Sequence, residues 1–206
     1  RGSSFEAALL DAASLMQEGE ANTVLVGAVD EIIEKSHAII RRFGQYKENG
    51  NSSNLFNSGT PGTMAGEGAA FFLLSNQKNE NAIAELIGAQ TYYKTDRPAS
   101  DIINHFLLEN NVLVDELDLI IMGNNGDVKT DAHYNEPAQT MFKGARLAGY
   151  KNYCGEYPTS SAFALWMAVK MVEHGKRLNT ETSPKKILIY NNYKLQYPSL
   201  YLLSAC

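Results

Sequence analysis

Residues 159–174 (TSSAFALWMAVKMVEH) carry only Lys170 and Glu173 as full charges, and the run has helical spacing. A helix that is apolar all round has no face to give to water, so it must be buried between layers. A three-layer sandwich rarely needs such a helix, whereas an α-β-α-β-α arrangement needs one at its centre. Continuous apolar runs accompany it: Leu117-Asp-Leu-Ile-Ile-Met122, Lys186-Ile-Leu-Ile-Tyr190 and Leu200-Tyr-Leu-Leu203. Such runs read as strands covered on both faces, and strands of that kind alternating with helices give an α/β fold.

The remaining elements follow from period and punctuation. Phe5, Ala8, Leu9, Ala12, Leu15 and Met16 fall at helical spacing over 3–17, with Ser3 or Ser4 as cap. Thr23-Val-Leu-Val-Gly-Ala-Val29 reads as a buried strand, and Glu31 to about Arg42 as a helix. Residues 43–62 are rich in Gly, Asn and Ser and read as a long loop, the kind that is functional or mobile. Two strands follow, at Glu67–Ser75 and at Ile83 to about Tyr93. The spacing then predicts a helix over Ala99–Glu109, a turn at Gly123–Asp127, a helix over 136–148 and a short strand at 150–153.

The 206 residues, 44% hydrophobic and 20% charged, can bury a sizeable core. A net charge of −5 and a pI near 5.4 argue against nucleic acid as a partner. Cys154 and Cys206 are the only cysteines, too far apart for a disulfide framework or a CxxC metal site, which fits a reducing cytoplasm. No apolar run approaches a membrane span. No HExxH, CxxC or carboxylate cluster supports a metal, and the Gly123–Gly126 and Gly66–Gly68 turns lack phosphate-cradling features, so no cofactor is expected. The chain opens at Arg1 directly into a helical pattern and reads as part of a longer polypeptide.

The order of these pieces resembles the β-ketoacyl synthase (ketosynthase) family of thiolase fold. Ser3-Ser4-Phe-Glu-Ala-Ala-Leu-Leu-Asp-Ala, Val24–Asp30 and above all Met64-Ala-Gly-Glu-Gly-Ala-Ala-Phe-Phe-Leu-Leu74, like the family's GEGAxxxxL strand, carry the resemblance. Leu119–Gly123 is similar to the strand entering the HGTGT loop, and Lys151-Asn-Tyr-Cys-Gly-Glu156 to the KSxxGH motif. The resemblance implies a thiolase-like five-layer α-β-α-β-α fold, with 1–76 as the end of the N-terminal repeat and 77–206 as the C-terminal repeat. It also implies acyl transfer and decarboxylative condensation by a cysteine and two histidines, with acyl carrier protein and acyl chains as partners. A homodimer, or a heterodimer with a second ketosynthase, is implied as well.

Every catalytic position covered departs from that pattern. The nucleophile falls at or just before Arg1, the first histidine at Met122 and the second at Glu156. The family's GFGG loop is replaced by Asn191–Pro198. A carboxylate ~4 Å from a developing enolate repels it by about 4 kcal/mol at an effective dielectric near 20. That repulsion costs on the order of a thousandfold in rate. The resemblance therefore implies a catalytically degenerate subunit of chain-length-factor type, which shapes the acyl tunnel of an active ketosynthase. An active acyltransferase with its cysteine upstream of this chain, and a non-enzymatic scaffold, are the alternatives. Glu156, Lys151 and His133 are the candidate pocket residues. A relocated set of Cys154, His133 and an acid (Asp131 or Glu156) is a further arrangement, beside an inert Cys154. Phe71, Phe72, Tyr92, Tyr93, Tyr190, Tyr193 and Tyr197 read as tunnel lining or plain core.

Overall fold

The computed structural model describes residues 2–48, 50–178 and 183–206, with backbone alone at 175–178. In chain order the elements are α1 (Ser4–Gln17), β1 (Thr23–Asp30), α2 (Glu34–Arg42), β2 (Gly68–Ser75), β3 (Ala84–Thr91), α3 (Ala99–Glu109) and β4 (Leu119–Met122). They continue with α4 (Val128–Thr140), β5 (Leu147–Gly149), the single turn α5 (Lys151–Cys154), α6 (Ser160–Leu178), β6 (Lys186–Tyr193) and β7 (Tyr197–Ala205). Short 3-10 turns lie at Ser52–Asn57 and Val114–Glu116.

Five strands form a mixed sheet in the order β3-β7-β6-β4-β5, parallel at β6/β4/β5 and antiparallel at β3/β7/β6. Alternate residues of its central strands serve two separate cores, as the two-residue period of a strand requires. Leu119, Ile121, Ile187, Ile189, Tyr201 and Leu203 face α1 and α6. Ile120, Met122, Leu188, Tyr190, Leu200 and Leu202 face α3 and α4. On the far side of α1 and α6 lies the antiparallel pair β1–β2, with Val26 and Ala28 in the same core. The described residues thus build sheet, helix pair, sheet and outer helices in succession, with the α6 contacts reaching β2 on one side and β3, β6 and β7 on the other. The charge-poor helix lies between the two sheets, but it is not covered all round: Trp166 is exposed by 42%, with Phe163 and Met167 half-buried beside it. Asp30 holds its start, accepting from Thr159 N–H at 3.0 Å and from the Thr159 hydroxyl.

Three expectations need correction. The helix placed over 136–148 lies at Val128–Thr140, started by Asp127, whose side chain accepts from Lys129 N–H at 3.0 Å. Only Tyr134 and Pro137 of it are buried, so its apolar stripe is too thin to read. The strand expected at 150–153 is instead the turn α5 behind a strand at Leu147–Gly149. The apolar run of β1 is covered on one face only: Leu25, Val29, Phe71 and Leu73 of the β1–β2 pair are exposed by 68, 64, 59 and 73%.

Candidate functional site

Glu156 is positioned by two glycines. The Met64–Gly66 segment runs beside residues 155–156, with Glu156 N–H donating to Met64 O at 2.8 Å and Gly66 N–H to Glu156 O at 3.1 Å. The approach is too close for side chains: a Cβ on Gly66 would stand 2.0 Å from the Cys154 carbonyl oxygen. Gly155 turns the chain with φ +73°, in the left-handed region that favours glycine. The GEGA strand and the KNYCGE segment, far apart in sequence, are therefore one structural joint.

At that joint Lys151 Nζ lies 2.8 Å from Glu156 Oε2, an ion pair with the lysine side chain 1% and the glutamate 11% exposed. Asn125 Nδ2 donates to the same Oε2 at 2.8 Å. Glu156 Oε1 is buried without a hydrogen-bond partner. The carboxylate forms part of the wall of a cavity of about 610 Å³ that also includes Asp30, His37, Tyr46, Tyr193 and Lys194.

The β4–α4 turn is held from both sides. Asp131 accepts from Asn125 N–H at 2.8 Å and Gly126 N–H at 2.9 Å, while burial pushes its carboxyl above the usual range against those bonds. From the long loop, Thr63 Oγ1 donates to Asn125 O at 2.6 Å and Lys47 Nζ to Gly126 O at 2.8 Å. Leu55, buried in its 3-10 turn, sits so close to Gly126 that a Cβ there would meet it at 2.5 Å. The Gly- and Asn-rich segment 43–62 is thus tied across the turn beside Glu156.

His133 stands elsewhere. It belongs to α4, not to a loop, and its Nε2 contacts Tyr190 Oη at 2.8 Å and Asn192 Nδ2 at 3.3 Å. It lines a separate cavity of about 390 Å³ with Arg97, Glu136 and Asn192, and burial lowers its pKa. The structure brings Lys151 and Glu156 together and leaves His133 in the separate cavity. Nor does a Cys-His-acid set assemble. Cys154 Sγ donates to Gly155 O at 3.3 Å, and burial pushes its thiol up to about 12. Asn125 and Thr130 are the site residues that sequence reasoning missed; the polar turn signal marked their location but not their partners.

Met122, where the resemblance puts the first histidine, is 3% exposed inside the outer core. The β6–β7 hairpin replacing the Gly-rich loop places Tyr193 and Tyr197 over the start of α1. A Cβ on Gly2 would meet both rings at 2.7 Å. The hairpin turn itself is strained, with Lys194 and Leu195 at φ of +54° and +52°. Of the seven aromatics, Tyr190 is core, Tyr193 lines the larger cavity, and Phe71 and Tyr93 are exposed.

Residues 2–80 match the model of the beta-ketoacyl synthase N-terminal domain. Solved structures match nearly the whole chain. The ketosynthase from module 6 of the bacillaene synthase of Bacillus subtilis 168 has a TM-score of 0.80 at 16% identity, covering 100% of this chain and 45% of its own. The chain has the ketosynthase fold. The PfaC keto synthase–chain length factor matches with a TM-score of 0.78 at 17% identity over 99% of this chain and 22% of its own. For AntDE:AntF, a type II polyketide synthase acyl-carrier protein in complex with its ketosynthase, the values are 0.75, 16%, 99% and 61%. This chain thus spans from about a fifth to about three fifths of these structures. No curated protein sequence matches it. Among the described residues no helix is long and apolar enough to cross a membrane, and no group of three His, Cys, Asp or Glu could hold a metal.

Proposed function

We propose that this chain is the latter part of a catalytically degenerate ketosynthase homologue, a subunit of chain-length-factor type in an acyl carrier protein-dependent synthase of the cytoplasm. In this reading 1–76 closes the N-terminal repeat and 77–206 forms the C-terminal one. The observation that carries the reading is the Lys151–Glu156–Asn125 cluster. Enolate stabilisation needs hydrogen-bond donors aimed at the carbonyl oxygen, and an ionised carboxylate only accepts. Glu156 stands where the second histidine is expected, with one oxygen already taken by two donors. The buried thioether of Met122 and the tyrosine hairpin over the α1 start support the same conclusion. The exposed apolar face of β1–β2 supports a protein that works joined to more polypeptide.

The partner is an active ketosynthase. Affinity purification of the full-length protein from its native cell is expected to bring down a ketosynthase with an intact Cys-His-His set, in one-to-one ratio. A strict homodimer carrying no such partner would overturn the reading.

A further inference from the structure

The Asn125 side chain is gripped at both ends of its amide. Its Oδ1 accepts from Asp127 N–H at 3.0 Å and from Thr130 Oγ1 at 2.9 Å. Its Nδ2 donates to Glu156 Oε2, the same oxygen that accepts from Lys151 Nζ at 2.8 Å. A buried amine and a carboxamide therefore share one carboxylate oxygen. Two donors on the carboxamide oxygen draw electrons from Cγ and are placed to hold an oxyanion there. A carboxylate touching both nitrogens can take a proton from one and give it to the other. Fixing the reactants in one part-buried cluster removes the entropy cost of their meeting. The competing nucleophile at an Asn-Gly sequence, the glycine backbone nitrogen, is held away: Gly126 N–H is donated to Asp131 Oδ2 at 2.9 Å.

We propose that Lys151 and Asn125 become joined by an intramolecular isopeptide bond, with Glu156 as the proton-transfer catalyst. Lys151 Nζ passes a proton to Glu156, and its freed lone pair attacks Asn125 Cγ. The resulting oxyanion on Oδ1 is held by Asp127 N–H and the Thr130 hydroxyl. Glu156 delivers its proton to Nδ2 and takes the second one from Nζ. The oxyanion collapses, the Cγ–Nδ2 bond breaks, and ammonia leaves with the remaining proton from Glu156 as an ammonium ion. In sum, a lysine ammonium and a carboxamide give a secondary amide and an ammonium ion, with no oxidant, reductant or cofactor. The bond ties the α5 turn to the β4–α4 turn. It does not rest on the chain-length-factor reading, since an active enzyme or a scaffold could carry it equally.

Intact mass measurement and proteolytic mapping of the purified full-length protein test it. The folded wild type is expected to weigh less than its sequence by one ammonia, and trypsin is expected to skip Lys151 and release a branched peptide containing Asn125. Glu156→Gln and Lys151→Arg are expected to return the sequence mass. Thr130→Val, which keeps all three reacting groups, is expected to link more slowly. Because the wild-type mass itself decides, a variant that fails to fold leaves the test intact. A wild type at full sequence mass, or one whose Asn125 is deamidated beside a free Lys151, overturns the proposal.

Discussion

Cys154 and Glu156 lie two residues apart on the same short segment, yet their surroundings give them opposite chemistries. Glu156 faces an ammonium and an amide donor, whereas the Cys154 thiol is desolvated and held protonated. A thiol whose folded pKa is raised keeps its proton after the unfolded chain has lost it, so stability falls as pH rises from the ordinary thiol range towards 12. Denaturation midpoints measured across that range are expected to drop more steeply in the wild type than in Cys154→Ala. Alkylation of Cys154 at neutral pH is expected to be slow until the protein unfolds; rapid labelling of the native state would contradict the raised thiol pKa. At this scale the sequence disclosed which residues were unusual, Lys151, Cys154 and Glu156, because the family motif frames them. It did not disclose Asn125 or Thr130. Asn125 matters through its bond to Glu156 Oε2, a contact between segments separated by 31 residues that no local spacing encodes, and Thr130 through its hold on Asn125 Oδ1.

The elements were most legible where burial is strongest. The Ala99–Glu109 helix stands where its apolar spacing puts it, and the central helix lies between the sheets as expected, although its Trp166 face is open. The errors cluster where tertiary contacts override weak patterns. The largely polar α4 exists because Asp127 and Asp131 satisfy the turn before it, and the one-turn α5 because Gly155 ends it with positive φ. The joint between the GEGA strand and α5 is an element-scale device, and its tolerance is small. Gly66→Ala places a methyl group 2.0 Å from a backbone oxygen that cannot rotate away. Urea denaturation is expected to show a loss of about 2–3 kcal/mol or more, the range of overpacking in a well-packed core. Unchanged stability would mean that the two segments do not meet as described.

At the scale of the whole molecule, the proposed function separates the fold from the chemistry. The described residues keep two sheets with helices packed between them and the close glycine joint at Gly66 and Gly155, while the proposal of lost condensation chemistry rests on Met122, Glu156 and the tyrosine hairpin. A fold can persist when its site is rebuilt, because packing and turn chemistry constrain different residues from those that stabilise a transition state. Composition and period were enough for the layered architecture. In the sequence the proposed loss of condensation chemistry is argued from the motif alone, and the bare face of β1–β2 could not be read from an apolar run that looks buried throughout. The most direct measurement is the decarboxylation of a malonyl thioester by the full-length protein alone, set against an active ketosynthase under the same conditions. A catalytically degenerate subunit is expected to release carbon dioxide no faster than the background without protein. Turnover at a ketosynthase's rate would contradict that reading, because it would require donors at the carbonyl where Glu156 now stands.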